Sequence, residues 1–208
     1  MNDETINIID VEYERTGAST KTDSMGMREM QRRAFEKRNS KHLLIKAPPA
    51  SGKSRALMYV ALDKLTNQGK KKIIVAVPEK SIGVSFDNTN LTDAGFFADW
   101  EVESRNNLCL GSGDDKSKVR SFVNFMKSDD KILVCTHATL RFAFEDSELA
   151  TELFNNCVLA IDEFHHVSVS ENSRLGELLH NVMNQTDVQI IAMTGSYFRG
   201  DAVPILTP

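Results

Sequence analysis

Ala47-Pro48-Pro49-Ala50-Ser51-Gly52-Lys53-Ser54 is the stretch that decides the fold. It follows the apolar run His42-Leu43-Leu44-Ile45-Lys46 and precedes a helical pattern that begins Arg55-Ala56-Leu57-Met58. A loop that binds phosphate needs this order of strand, turn and helix N-terminus. Backbone N–H groups of the turn can then point at a polyphosphate, and the helix dipole favours its negative charge. In this reading Pro49, Ala50, Ser51 and Gly52 line the cradle, Lys53 reaches the β- and γ-phosphates, and the Ser54 hydroxyl ligates Mg²⁺. The first position of the G-x-x-x-x-G-K-[ST] pattern is Ala47, not Gly. Gly52, where a side chain would crowd the phosphates, is intact. By itself the stretch also fits a Ser/Gly turn that caps an ordinary helix.

Outward from the loop, the chain alternates. Strands are expected over 42–47, 72–77, 131–136, 157–161 and 188–193. Helices are expected over 27–39, 53–67, 116–127, 137–145 and 173–184, with a short one over 79–86. Residues 87–99 read as loop, and 100–110 contains strand-like pieces. One face of helix 53–67 (Leu57, Val60, Ala61 and Leu65) is expected to turn inward. The same holds for Val119, Phe122, Val123 and Met126, and for Leu175, Leu178, Leu179 and Met183. The strands are continuous apolar runs separated by helices, which is the pattern of a parallel sheet covered on both faces. The fold class is therefore α/β, a mostly parallel sheet with helices on both faces. In such sheets ligands sit at the carboxyl ends of the strands.

The chain of 208 residues, 41% hydrophobic and 26% charged, is long enough for one domain with a buried core. Residues 25–208 read as that domain. Residues 1–24 read as a lead-in, with Ile6, Ile8, Val11 and Tyr13 able to make a short strand before a loop. No apolar run approaches the ~20 residues that span a bilayer, and Met1-Asn2-Asp3-Glu4 lacks the layout of a secretory signal. Cys109, Cys135 and Cys157 are read as reduced core residues. A cytoplasmic protein with no membrane partner is expected. The net charge of −4 gives no bulk attraction to nucleic acid. The basic residues between Arg28 and Lys46, and the cluster Lys70-Lys71-Lys72, read mostly as solvated surface.

A second constellation closes the strand 157–161. Val158-Leu159-Ala160-Ile161 runs into Asp162-Glu163-Phe164-His165-His166. One carboxylate, Asp162, can hold Mg²⁺ through water while its neighbour Glu163 polarises an attacking water as general base. An acidic turn after a buried strand has the same local look. A phosphate loop in the same chain favours the catalytic reading. No third ligand falls at zinc spacing from His165 and His166.

Together these segments resemble the first RecA-like motor domain of superfamily 2 helicases of the DExH type. Ala47–Ser54 is similar to motif I, and Asp162-Glu163-Phe164-His165 to motif II. Thr194-Gly195-Ser196 is similar to motif III, Ala76-Val77-Pro78 to the start of motif Ia, and Thr136-His137-Ala138-Thr139-Leu140 to the segment that meets the nucleic-acid backbone. Arg28-Glu29-Met30-Gln31 resembles the element whose glutamine reads adenine. The run Thr194-Gly195-Ser196-Tyr197-Phe198-Arg199 leans towards the type III restriction-enzyme and phage-like branch.

The resemblance implies a RecA-like P-loop domain that uses ATP and Mg²⁺. Lys53 and Glu163 would be catalytic, with Pro49–Ser54, Arg28 and Gln31 binding ATP and Ser54 with Asp162 holding the metal. His165, Thr194 and Ser196 would couple the nucleotide site to a neighbouring strand. Pro78, Thr136 and Thr139 would contact nucleic acid, DNA in preference to RNA. A second RecA-like domain, in a longer protein or another chain, would supply arginine fingers worth ~10³–10⁵ in rate. The sequence stops at Pro208 without one, so this chain alone is expected to bind nucleotide and hydrolyse it poorly. Two other readings share the loop: a P-loop ATPase of another class, and a nucleotide-binding switch without turnover.

Overall fold

The computed structural model describes residues 22–111, 113–146, 149–166 and 174–195. The elements run α1 (Glu29–Glu36), β1 (His42–Lys46), α2 (Lys53–Asn67), β2 (Lys72–Val77), α3 (Lys80–Gly83), α4 (Asp115–Lys127), β3 (Ile132–Thr136), α5 (His137–Phe144), β4 (Cys157–Ile161), α6 (Arg174–Gln185) and β5 (Gln189–Thr194), with short 3₁₀ turns between them. The expected elements are present with ends shifted by a few residues. The strand expected from Ile6, Ile8, Val11 and Tyr13 lies outside the described residues.

The five strands form one sheet in the order β1-β5-β4-β2-β3. Every pairing is parallel. The apolar runs are continuous because the two faces of the pleat are both covered. Ile73, Val75 and Val77 face α1 and α2. Ile74 and Ala76 face α4, α5 and α6.

Three expectations need correction. Helix α2 is buried all round from Ala56 to Lys64, not on one stripe. The segment after α3 folds over its outer face: Phe96 meets Phe35 and Tyr59 edge-on at 5.7 and 4.7 Å, and the Trp100 indole donates to the Phe86 carbonyl at 2.9 Å. Residues 100–110 do not form a strand. They make isolated bridges, Trp100 with Thr89 and Asn107 with Val134, around a 3₁₀ turn over Ser104–Asn106. The Asn106 amide and the Arg105 guanidinium are engaged with Asp130 instead.

The third correction concerns lysines. Of Lys70-Lys71-Lys72, only Lys71 is exposed. Lys70 is buried and pairs with Asp187 at 2.9 Å. Lys72 donates to the carbonyls of Phe125, Ser128 and Asp130 at 2.9, 2.6 and 2.9 Å, closing the C-terminal end of α4. Lys64, with no exposed surface, donates to Ser40 O and Gln189 Oε1 at 2.9 and 2.6 Å. These bonds tie α2 to the N-terminal end of the β1–β5 pair, at the start of both strands. The cysteines are free and buried, and burial raises the thiols of Cys109 and Cys157 to about 11. No helix of the described residues is long and apolar enough to cross a membrane.

Burial lowers the Lys64 pKa to about 8 from 10.5. Between those values the unfolded chain binds more protons than the folded one, so the Lys64 contribution to stability rises with pH through that window. Lys64→Met is expected to cost about 1–3 kcal/mol by orphaning its acceptors. The deficit relative to the parent should widen from pH 8 to pH 10, as read by urea unfolding. A deficit that narrows over that range would contradict the burial argument.

Candidate nucleotide site

Strand β5 lies between β1 and β4, with Lys46 opposite Thr194 and Ile161 opposite Ala192. The loop after β1 and the carboxylates after β4 are thereby held on either side of the end of β5. The loop itself turns through two left-handed residues, Ala50 at φ 59° and Gly52 at φ 89°. Gly52 has a second reason to lack a side chain, since a Cβ there would sit 2.6 Å from Gln31 Nε2. The Ser51 hydroxyl closes the turn on the Pro48 carbonyl at 2.7 Å. The buried Lys53 ammonium lies inside the loop and donates to Ala47 O and Pro48 O at 3.0 and 3.1 Å. Ser54 follows it in the first turn of α2 and is half-buried, while Pro49 and Ala50 are exposed.

On the other side, Asp162 is buried and its backbone N–H donates to Ala76 O at 2.9 Å, continuing the β4–β2 ladder by one residue. Its Oδ1 accepts from the Glu163 N–H at 2.9 Å. Glu163 adopts φ 46°, a left-handed conformation that costs a non-glycine residue roughly 1–2 kcal/mol. That turn brings its carboxylate back towards β5. Glu163 Oε2 lies 3.2 Å from His165 Nδ1 and 3.4 Å from the Gly195 N–H, which donates to it. His165 Nδ1 is also 3.1 Å from Thr194 Oγ1. A Cβ built on Gly195 would lie 3.7 Å from both Lys53 Nζ and Pro49 Cδ. The Gly195 N–H thus holds the carboxylate on one side, and a side chain at this position would come up against the loop on the other. Sequence reasoning placed Thr194 and Ser196 here and passed over Gly195. The available signal was its central place in the Thr194-Gly195-Ser196 run. Ser196 lies outside the described residues.

Burial raises the pKa of Asp162, with the neighbouring Glu163 charge adding to the rise. The Glu163 N–H bond and Lys53 oppose it. The donor set fits Mg²⁺ with a polyphosphate: an ammonium, a hydroxyl at a helix start, backbone N–H groups around left-handed turns, and a desolvated carboxylate. Among the described residues no cluster of three or more His, Cys, Asp or Glu makes a metal site of its own, and this set needs the phosphates as partners.

The remaining expected residues fall into two groups. Gln31 is 2% exposed and bridges two segments. Its Nε2 donates to Gly52 O at 3.1 Å, and its Oε1 accepts from the Arg28 N–H at 2.8 Å. Both ends of the amide are thus engaged inside the chain, tying α1 to the loop, and Arg28 lies exposed at the start of α1. Thr136 ends β3 in register with Val77, the last residue of β2, and Pro78 follows at the same edge of the sheet. Thr136 caps α5 by accepting from the Thr139 N–H at 3.1 Å, and the two hydroxyls are 3.0 Å apart. Thr139 is buried beneath it.

The family model described as DEAD/DEAH box helicase matches residues 28–200. The chain belongs to the DEAD/DEAH box helicase family. YeeB of Bacillus subtilis (strain 168), which carries the name of a proposed ATP-dependent helicase, is 64% identical over 202 residues, covering 97% of this chain and 33% of YeeB. The chain thus spans about a third of the length of that curated relative. Among solved structures, the Hef helicase domain of Pyrococcus furiosus superposes with a TM-score of 0.57 at 16% identity, over 80% of this chain and 32% of Hef. Lhr of Mycobacterium smegmatis, solved with ssDNA and AMP-PNP, gives 0.55 at 18%, over 83% of this chain and 23% of Lhr. UvsW of bacteriophage T4 gives 0.50 at 20%, over 82% of this chain and 52% of UvsW. At these identities the likeness to the helicase structures is one of fold, and that fold is the RecA-like domain expected from the sequence.

Because Asp162 is held with a raised pKa, the folded state binds more protons than the unfolded one just above the ordinary Asp value. Stability from this group therefore falls as pH rises through that window. Asp162→Asn keeps the acceptor for the Glu163 N–H and removes the buried charge. It is expected to raise the thermal midpoint at pH 7, at about 2–4 °C per kcal/mol for a chain of this size. The gain over the parent should shrink as pH falls towards 4. A midpoint at or below that of the parent at pH 7 would contradict a destabilising carboxylate.

Proposed function

We propose that this domain binds Mg·ATP at the carboxyl edge of β1, β5 and β4, and that it is the first of two RecA-like halves of a DNA-directed helicase or translocase. The observation that carries the reading is that Gly195 stands between the two motifs: its N–H holds the Glu163 carboxylate, and a Cβ built on it would lie 3.7 Å from both Lys53 Nζ and Pro49 Cδ on the loop.

Backbone N–H groups of residues 49–54 cradle the phosphates. Lys53 leaves the Ala47 and Pro48 carbonyls, which lie within reach of the same loop, and neutralises charge on the β- and γ-phosphates. Mg²⁺, when bound, supplies further charge neutralisation there, and Ser54 and Asp162 are the residues placed to hold it. Glu163, fixed by the Gly195 N–H and His165, accepts a proton from the attacking water. His165, Thr194 and Ser196 pass the state of that carboxylate to the end of β5. Arg28 and Gln31 border the loop where an adenine would lie, and Gln31 reads the base only by exchanging its present bonds. Pro78 and Thr136 meet the nucleic-acid backbone, with Thr139 orienting the Thr136 hydroxyl from below. These contacts address phosphate and not base edges, so binding is largely independent of sequence. YeeB extends well beyond the aligned third, which supports a second RecA-like domain in the working protein. A cytoplasmic location is in keeping with this role.

Lys53→Ala is expected to lower affinity for a fluorescent ATP analogue by at least about tenfold, the equivalent of ~1.4 kcal/mol for one lost phosphate contact. Unchanged affinity would remove the loop from nucleotide binding. In the full-length protein, Glu163→Gln is expected to keep Mg·ATP binding and to lose about 10²–10⁴ in hydrolysis rate, the usual worth of a general base. Turnover equal to the parent would remove Glu163 from that role.

A further inference from the structure

Gln31 and Phe35, one turn apart, are the two buried residues of α1. The Gln31 amide sits hard against the nucleotide loop, since a Cβ on Gly52 would come within 2.6 Å of it. Little slack therefore separates α1 from the loop. The helix is only eight residues long, and a helix so short has little stability of its own. Its position is set from outside. Just ahead of it, residues 23–27 fold into a closed turn around Asp23. Asp23 Oδ1 accepts from the N–H groups of Met25 and Met27, both at 2.9 Å. The Asp23 N–H donates to Met27 O, and the Gly26 N–H to Asp23 O, both at 3.0 Å. The next residue, Arg28, gives its N–H to Gln31 Oε1. The turn thus runs directly into the bond that orients the amide.

The turn is seated on the segment 91–99. A Cβ on Gly26 would lie 2.4 Å from Ala94 Cβ, and a Cβ on Gly95 would lie 2.2 Å from Ser24 O. The two backbones meet with no side chain between them, and Gly95 adopts φ 94° besides. The segment has bracing of its own. Asp99 Oδ1 accepts from the Leu91 and Thr92 N–H groups at 2.7 and 2.8 Å, and the Gly95 N–H closes on Thr92 O at 2.9 Å. Leu91 is buried in the core, and so is Phe96, whose ring meets Phe35 edge-on. Segment 91–99 therefore grips α1 at two points. One is its buried face, through Phe35. The other is its N-terminal approach, through Ser24 and Gly26. The Tyr59 hydroxyl adds a weaker tie from α2, donating to Gly26 O at 3.4 Å.

We propose that Gly95 and Asp23 are positioning residues for nucleotide binding: segment 91–99 sets the turn at 23–27, and the turn sets the Gln31 amide against the loop. Neither residue touches the nucleotide. A side chain at position 95 would push on the Ser24 carbonyl, which is backbone and cannot swing aside as a flexible side chain would. The displacement passes through the turn to Arg28 and Gln31. It alters what Gln31 can offer an adenine, because an amide matches the N6 and N7 edge only in a bidentate geometry. The proposal rests on the reading of Gln31 given above, and gives the segment after α3 a part in the nucleotide site that it does not touch.

The test is titration of the full chain with fluorescent ATP and GTP analogues, using the parent, Gly95→Ala, Asp23→Ala, Asp23→Asn and Gln31→Ala, with the first two also combined with Gln31→Ala. Gln31→Ala should weaken ATP binding by roughly three- to tenfold, the worth of one hydrogen bond, and bring the preference for ATP over GTP towards parity. Gly95→Ala and Asp23→Ala should each move both quantities in the same direction. Asp23→Asn keeps an acceptor oxygen for the two N–H groups and should restore the parent values. Added to Gln31→Ala, neither Gly95→Ala nor Asp23→Ala should cause further loss, because they act through Gln31. Gly111→Ala, at an exposed glycine with open space around it, should bind as the parent does. Asp23→Ala adds no bulk, and it carries the test if Gly95→Ala does not fold. Weakened binding in Gln31→Ala, with Asp23→Ala equal to the parent, would overturn the positioning role and leave the Gln31 reading intact. A loss on adding Asp23→Ala to Gln31→Ala as large as its loss in the parent would do the same, since it would mark a general effect on the fold. Parent affinity and preference in Gln31→Ala would overturn both.

Discussion

The chemistry of this domain depends on β5 being hydrogen-bonded between β1 and β4. Motif I closes β1 and motif II closes β4, and the chain separates them by more than a hundred residues. They meet because the parallel register sets Lys46 opposite Thr194 and Ile161 opposite Ala192. A slip of one residue in either pairing would turn every side chain of the slipped strand to the opposite face. The register is therefore fixed by the same buried apolar residues that make the core. Gly195 joins the two sides, its N–H on Glu163 and its position such that a Cβ would reach 3.7 Å from Lys53 and Pro49.

The site is costly to the fold that carries it. Asp162 is buried with its acid strength reduced, Glu163 occupies a left-handed conformation, and Lys53 is buried on two carbonyls. These are conflicts between local preference and global structure, and such conflicts gather where a protein does chemistry. The buried lysines at the opposite end of the sheet differ in kind. Lys64, Lys70 and Lys72 each reach carbonyl or amide oxygens and so stitch helices to strands.

The strands and the two motifs were legible because central parallel strands are short apolar runs and because the chemistry needs fixed residue types at strand ends. Cys157–Ile161 and Lys53–Asn67 have the bounds expected of them. What escaped was set by contacts distant in sequence. Lys64 reaches Gln189 across 125 positions, and nothing local to Lys64 marks it as buried. Residues 84–110 carry aromatic and polar residues without a period, so their cover over α2 could not be foreseen. Gln31 was expected to face a base, and its amide is turned to Gly52 and Arg28. A backbone N–H such as that of Gly195 leaves no trace in composition at all.

The central claim is that nucleotide chemistry at one edge of this sheet is coupled to a nucleic-acid strand at the same edge. It is tested most directly by steady-state ATP hydrolysis of the longest natural form of the protein, with and without single-stranded DNA. The account expects a low rate that rises at least about tenfold as DNA is added, a change in barrier of ~1.4 kcal/mol. A rate that is appreciable without nucleic acid and indifferent to its addition would contradict it, and would place the domain among P-loop ATPases of another class.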